Sequence, residues 1–105
     1  MATRSFEITE YQYGFFNDVA YHNRRMLAYL YQNDNRIAIV FFQDDLKAPH
    51  TDKDGQICVY YRMEDLHSVI DMLRNENPIF LHYSENQKST RAFLTTSKEP
   101  VGEGE

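Results

Sequence analysis

Apolar residues in this chain occur in short runs separated by polar turn residues, a pattern typical of a small protein rich in strands. In segment 5–13, Phe6 and Ile8 alternate with polar neighbours, and we predict a strand there that Gly14 interrupts. The following stretch, 15–23, contains Asn and Asp residues that favour turn geometry, so it is interpreted as irregular.

The clearest hairpin lies between two almost wholly apolar runs, 26–31 and 37–42. The polar stretch 32–36 between them contains Asn and Asp, which tolerate the left-handed backbone angles of a tight reversal. An exposed acidic loop, 43–55, follows and ends in an Asp-Gly turn signal, after which 56–61 forms a third apolar strand. Because the turn signal directly precedes this third strand, we expect the strand to run antiparallel to 37–42.

An amphipathic helix is predicted over about residues 63–76, because apolar residues recur there at helical spacing. The apolar face consists of Met63, Leu66, Val69, Ile70 and Leu73. Pro78 and the polar residues before it end the helix. Segments 79–83 and 90–96, joined by a polar turn, predict a second hairpin.

The order of these elements predicts a single α+β domain over residues 1–97, followed by an acidic, mobile tail over 98–105. We expect a largely antiparallel sheet of five or six strands with the helix packed on one face. The three most apolar strands show little polar alternation, so the second face also needs a cover. Segment 15–21, closure of the sheet on itself, or a second copy of the chain would supply it. The second copy is favoured, because two-fold dimers are the commonest oligomers.

Composition narrows the class of protein. The chain has 105 residues, 42% of them apolar and 26% charged, as in one globular domain with a single core. The longest apolar run, 37–42, is far shorter than the roughly 20 residues of a membrane-spanning helix. The first residues show no secretory signal pattern and Cys58 is the single cysteine, so we expect a cytoplasmic protein. The net charge of -5 disfavours nucleic acid as a partner.

No motif carries a catalytic or metal-binding signature, and we expect neither a cofactor nor a metal. The string 50–55 resembles part of a calcium loop but lacks the acidic residues at both ends of that pattern, so it is interpreted as a hairpin turn. The four histidines lack metal-site spacing, and Cys58 lies between apolar residues, as a small buried hydrophobe would. His82 alternates with Phe80 on a predicted strand and should share its face.

These observations favour a non-enzymatic interaction module that self-associates and has a further protein or small ligand as a possible partner. The candidate contact residues are aromatic strand residues, namely Tyr29, Tyr31, Phe42, Tyr60 and Tyr61. An alternative is a ligand-binding protein or enzyme with a pocket between helix and sheet that uses His82, Tyr83 and Arg91. A second alternative is weak binding of single-stranded nucleic acid through Arg24, Arg25, Tyr29 and Arg62.

Three distinctive strings occur in the last 46 residues: YYRM at 60–63, VIDMLRNENP at 69–78 and EPVGEGE at 99–105. In these strings the chain resembles small uncharacterised bacterial proteins, some of which occur in the mobile gene cassettes of integrons. The resemblance implies a bacterial, cytoplasmic accessory protein with an α+β fold that self-associates. It brings no established activity and no site residues.

Overall fold

The computed structural model of the chain describes residues 2–15, 24–86, 88–98 and Val101. The elements, in chain order, are β1 (Ala2–Ile8), β2 (Glu10–Phe15), β3 (Arg24–Gln32), β4 (Asn35–Gln43), β5 (His50–Thr51), β6 (Ile57–Tyr61), α1 (Leu66–Asn75), β7 (Ile79–Glu85) and β8 (Thr90–Thr96). A 3-10 turn, Met63–Asp65, leads into α1. The predicted α+β class is confirmed.

The strands form two sheets, and the prediction of one sheet of five or six strands is wrong. One sheet has three strands in the order β1-β7-β8, and the other has five in the order β2-β3-β4-β6-β5. The difference arises because β1 pairs with the distant hairpin β7–β8 and not with β2, which follows it in the chain. Local patterning does not encode a pairing between segments so far apart.

A break at Thr9 divides the first predicted strand between the two sheets. The sequence analysis places one strand over 5–13, ended by Gly14, but the chain leaves the three-stranded sheet before Thr9 and enters the five-stranded sheet after it. Gly14 lies inside β2. Of the stretch 15–23, which is interpreted above as irregular, Phe15 belongs to β2 and residues 16–23 lie outside the described residues.

The hairpin predicted over 26–31 and 37–42 is confirmed as the antiparallel pair β3–β4. At its tip, Asn33 and Asp34 have φ values of 51° and 72°. Two successive residues with positive φ define the type I′ turn, whose twist matches that of the flanking strands. Asn and Asp adopt this left-handed region more readily than other residues that carry a side chain, so the local sequence was sufficient to predict the turn.

The direction of β6 is opposite to the predicted one. β6 was expected to run antiparallel to β4, but the two strands are parallel. The Asp-Gly turn joins β6 to the short strand β5 instead, and those two strands are antiparallel. In this turn Gly55 has a φ of 83°, and Asp52 Oδ1 accepts hydrogen bonds from the backbone N–H groups of Asp54 and Gln56, each at 2.9 Å. Loop 44–49 therefore carries the chain past β6 to the far edge of the sheet.

The core lies between the two sheets and α1. One face of β3, β4 and β6 meets α1, β1 and β7 in a single apolar cluster, whose largest fully buried side chains include Tyr83, Phe42, Met26, Leu30 and Leu81. The helix contributes Val69, Ile70 and Leu73, as its spacing predicts. Met63 and Leu66, the other two residues of the predicted apolar face, are half-buried beside the same cluster. The helix is shorter than 63–76 because its first turn is a 3-10 turn.

The opposite face of the five-stranded sheet, here called the outer face, also carries large side chains. Strand alternation places Leu27, Tyr29, Ile39, Phe41, Cys58 and Tyr60 there. Within the described segments, the apolar cluster that unites α1 with the three-stranded sheet lies on the other side. The weak polar alternation of these strands therefore reflects side chains of similar character on both faces.

Candidate functional site

Two large apolar side chains that stay exposed lie on β2, an edge strand of the five-stranded sheet. Tyr11, Tyr13 and Phe15 alternate along its core-facing side, and the exposed fractions of Tyr13 and Phe15 are 42% and 65%. The rings of Tyr11 and Tyr13 stack with their centroids 6.2 Å apart, and Phe15 meets Tyr13 edge-on at 6.2 Å. We call these three residues the aromatic ladder.

The C-terminal part of α1 brings a cation to the aromatic ladder. The guanidinium of Arg74 hydrogen-bonds to the side chains of Tyr11 and Tyr13, and these contacts raise its pKa. Beside Arg74 lies a cleft of about 250 Å³, and its lining includes Thr9 and Glu10 from the junction of β1 and β2. A cavity between helix and sheet is therefore present, but its lining contains none of the residues predicted for a ligand pocket, His82, Tyr83 and Arg91.

Cations lie over two aromatic rings of the outer face. Arg36 Cζ is 4.6 Å from the ring centroid of Tyr29, and Lys47 Nζ is 5.9 Å from that of Tyr60. His50 Nε2 is also within 2.8 Å of the Tyr60 hydroxyl oxygen. Stacking on exposed rings is the usual way to bind single-stranded nucleic acid, and these rings already have partners.

His82 lies on the outward face of the three-stranded sheet, between hydroxyl groups of both neighbouring strands. Its Nδ1 is 2.8 Å from Ser5 Oγ of β1, and its Nε2 is 3.0 Å from Thr95 Oγ1 of β8. The ring centroids of Phe80 and Phe93 are 6.4 Å and 5.0 Å from that of His82. The prediction that His82 shares a face with Phe80 is confirmed.

The five aromatic residues predicted to contact a partner are divided between the core and the surface. Phe42 is fully buried, and Tyr61 packs against the same core. Tyr29, Tyr31 and Tyr60 are half-buried. A contact surface built from all five is therefore not present in the folded chain, because strand alternation sends Phe42 and Tyr61 to the core.

The residues predicted for a ligand pocket also separate. His82 and Arg91 lie on the outward face of the three-stranded sheet, whereas Tyr83 is 1% exposed and belongs to the core. Burial, followed by the hydrogen bond to Glu85, raises the pKa of the Tyr83 phenol. Tyr83 therefore cannot line one pocket together with its neighbour His82, since adjacent strand residues point to opposite faces.

The basic residues predicted for the nucleic-acid alternative do not form a described cluster. Arg24 and Arg25 begin β3, but their side chains lie outside the part of the chain that the structure describes. Arg62 is exposed between β6 and the 3-10 turn.

Four further features bear on the class of function. In residues 2–15, 24–86 and 88–98, no group of three or more His, Cys, Asp or Glu side chains is placed to hold a metal ion. Segment 50–55 forms the hairpin turn that the sequence analysis favoured, with the Gly55 N–H donating to the Asp52 carbonyl at 3.0 Å. Cys58 is 4% exposed, as predicted for a small buried hydrophobe. Among the helices described, none has the length and apolar character to cross a membrane.

The sequence analysis missed the aromatic ladder, although its signal is present in the chain. Tyr11, Tyr13 and Phe15 recur at every second position, which is the period of a strand. Gly14 was interpreted as the end of that strand, and this interpretation separated Phe15 from the other two residues. Glycine weakens a strand but does not exclude it, and here no heavy atom lies within 4 Å of the position its Cβ would occupy.

Over the described residues, the fold and these surfaces define an α+β protein of two sheets and one α-helix with an exposed aromatic edge strand. In comparisons with known proteins, no family model, no curated protein and no solved structure matches the chain. Its function is therefore argued from its own surfaces.

Proposed function

We propose that this protein is a homomeric interaction module in which β2 of one copy pairs antiparallel with β2 of a second copy. The observation that supports it is the aromatic ladder on an edge strand. No strand among the described residues pairs with the edge of β2 that faces away from β3. The N–H and C=O groups of such an edge are a template for another strand, and side-chain pairs add specificity.

The other sheet edges carry features that prevent edge-to-edge pairing, and β2 largely lacks them. β5 has only two residues, β8 carries Arg91, and β1 carries Arg4 and Glu7. Short edges and charged side chains both disfavour pairing with another chain. The sole charged residue of β2 is Glu10 at its first position. Of the described edges, β2 is therefore the best suited to accept a strand.

The spacing of the aromatic ladder makes β2 complementary to itself. In an antiparallel pair with a two-fold axis perpendicular to the sheet, opposite residues share a face, so odd-numbered positions meet odd-numbered positions. Tyr11, Tyr13 and Phe15 of one copy therefore face the same three residues of the other. Aromatic pairs contribute about 0.5–1.5 kcal/mol each beyond the area that they bury.

The length of β2 limits the strength of this association. The strand has six residues, and its edge offers less than the roughly 800 Å² per partner of a standard interface. We therefore expect a dissociation constant in the micromolar range and rapid exchange between copies. Measurements on dilute samples would miss such a dimer.

Light scattering coupled to size exclusion, at increasing micromolar concentrations, tests the proposal. One chain has a mass of 12.5 kDa, and we expect the measured mass to rise toward twice that value. Phe15→Lys places a charge on the aromatic ladder and should weaken association at least about tenfold. Phe93→Lys is the matched control, because Phe93 is 45% exposed and lies on β8 of the other sheet.

Two further measurements separate the β2 edge from other surfaces. Backbone amides of β2 should exchange more slowly as the concentration rises, because pairing protects them. A mass of one chain at every concentration would overturn the proposal. A dimer that withstands Phe15→Lys but dissociates with Tyr29→Lys would overturn it as well, since Tyr29 lies on the outer face.

A further inference from the structure

A polar cluster on the outward face of the three-stranded sheet has no part in the proposed function. His82 stands at its centre, with Ser5 Oγ 2.8 Å from Nδ1 and Thr95 Oγ1 3.0 Å from Nε2. Ser5 lies directly opposite His82 in the pairing of β1 with β7, and Thr95 lies diagonally across on β8. Both ring nitrogens of one histidine are therefore occupied by hydroxyl groups.

The protonation state of His82 determines how many hydrogen-bond donors this cluster can present to a ligand. A neutral imidazole has one N–H donor and one acceptor nitrogen, so one of the two hydroxyl groups must donate to the ring. In the imidazolium form both ring nitrogens donate, and the hydroxyl groups of Ser5 and Thr95 both accept. Both hydroxyl hydrogens are then free to point at a third group. Protonated His82 is thus a cation flanked by two O–H donors.

The neighbours of His82 define what such a ligand would be. Arg91 of β8 carries a second positive charge on the same face, and Glu7 of β1 carries the opposing charge. On β7, Ser84 also lies on this face, and it is neutral. Phe93, whose ring centroid is 5.0 Å from that of His82, is 45% exposed. The face therefore combines donors for an anion with an aromatic ring for an apolar group.

We propose that this face binds small organic carboxylates, with the carboxylate on the Ser5–His82–Thr95 cluster and the apolar body of the ligand over Phe93. In the protonated cluster the carboxylate accepts a hydrogen bond from the hydroxyl group of Ser5 or Thr95, and the positive charge of the ring attracts it without donating to it, because both ring N–H groups already donate to those hydroxyls. Binding should therefore be stronger to the imidazolium form of His82 than to the neutral form. Arg91 adds to the attraction, and Glu7 weakens it.

An NMR titration of the full chain with benzoate, benzenesulfonate and neutral benzamide tests the proposal at about pH 5.5 and about pH 8. Benzenesulfonate is fully ionised and benzoate almost fully ionised at these two values, so a tenfold change in affinity comes from the protein. We expect benzoate to bind at least about tenfold more tightly at the lower pH and to shift the ring signals of His82 and Phe93. Benzamide, which keeps the apolar body without the charge, should show no dependence on pH.

Conservative variants assign the effect to the cluster. His82→Gln should remove the pH dependence, whereas His67→Gln, at an exposed histidine of α1, should leave it unchanged. Ser5→Ala should weaken binding about three- to tenfold, and Glu7→Gln should tighten it at both pH values. Equal binding of benzoate and benzamide would overturn the proposal. So would benzoate binding that persists unchanged in His82→Gln, or signal shifts that map to Arg74 and α1 instead.

Discussion

The side-chain oxygen of Thr9 accepts a hydrogen bond from the backbone N–H of Asn33 at 2.8 Å. Thr9 is the residue at which the chain passes from the three-stranded to the five-stranded sheet, and Asn33 lies at the tip of the β3–β4 hairpin. The backbone N–H of Thr9 also donates to the carbonyl of Tyr31 at 2.9 Å. These contacts attach the junction of the two sheets to the tightest turn of the fold.

Thr9→Val should destabilise the protein by about 0.5–1.5 kcal/mol, because the Asn33 N–H loses its side-chain acceptor while the β-branched shape is kept. Urea unfolding measures the change in the free energy of unfolding. Thr3→Val, at an exposed threonine of β1, is the matched control and should lie within about 0.5 kcal/mol of the native chain. Equal midpoints for the two variants would show that the hydroxyl of Thr9 contributes nothing to this junction.

Glu10 should make stability depend on pH. The hydroxyl of Thr9 and the backbone N–H of Asp34 donate to its carboxylate and hold its pKa below the ordinary value. A lowered pKa in the folded state means that the ionised group stabilises the fold at neutral pH, and this contribution is lost as the pH falls below about 4. Glu10→Gln should therefore be less stable than the native chain at about pH 7, and the difference should shrink as the pH falls below about 4.

The control for Glu10 is Glu64→Gln, which removes one exposed negative charge from the turn before α1. Urea midpoints across the same pH range give the comparison. If Glu10→Gln and the native chain keep a constant difference in stability from neutral to acid, the hydrogen bonds to this carboxylate do not carry the effect.

The effect of substitutions at Asp34 on stability should depend on its backbone conformation. Its φ of 72° is unfavourable for side chains, most of all for β-branched ones, and glycine adopts it freely. Asp34→Val should cost about 1–2 kcal/mol of stability, whereas Asp34→Gly should stay within about 1 kcal/mol of the native chain. Thermal unfolding of the two variants checks this order. A valine variant as stable as the glycine variant would contradict the turn geometry.

Truncation of Phe42 should lower stability, whereas truncation of Phe15 should lower association. Phe42 is fully buried in the core, so Phe42→Ala should cost about 3–5 kcal/mol through lost burial and the cavity that remains. Phe15 is 65% exposed, and Phe15→Ala should change stability by less than about 1 kcal/mol while weakening association through β2. Chemical unfolding and light scattering of both variants separate the two roles. A Phe42→Ala chain of native stability would refute the assignment of this residue to the core.

The candidate surfaces could be predicted only in part. His82 and Phe80 were placed on one face because alternation along a strand is local. The five aromatic residues predicted as a contact set are divided between core and surface, because the apolar runs of β3, β4 and β6 do not reveal which positions face the core. Phe42 and Tyr60 differ in environment through the register of their strands, and register is a property of the pairing.

Several features of this protein follow from residues that are neighbours in the chain. The β3–β4 turn at Asn33 and Asp34, the apolar face of α1 and the hairpin β7–β8 all arise from backbone preferences and residue spacing over a few positions. Each has a physical cause that acts within one element or one turn.

The way in which these elements combine depends on contacts between residues that are distant in the chain. Ser5 and His82 meet although they are 77 positions apart. β6 runs parallel to β4 because the chain first passes to β5 at the sheet edge and then turns back into β6. Which strands pair is determined by the burial of one common core, and many arrangements of the same local elements satisfy the local pattern equally well. The split into two sheets, the exposed edge of β2 and the His82 cluster all follow from which strands pair.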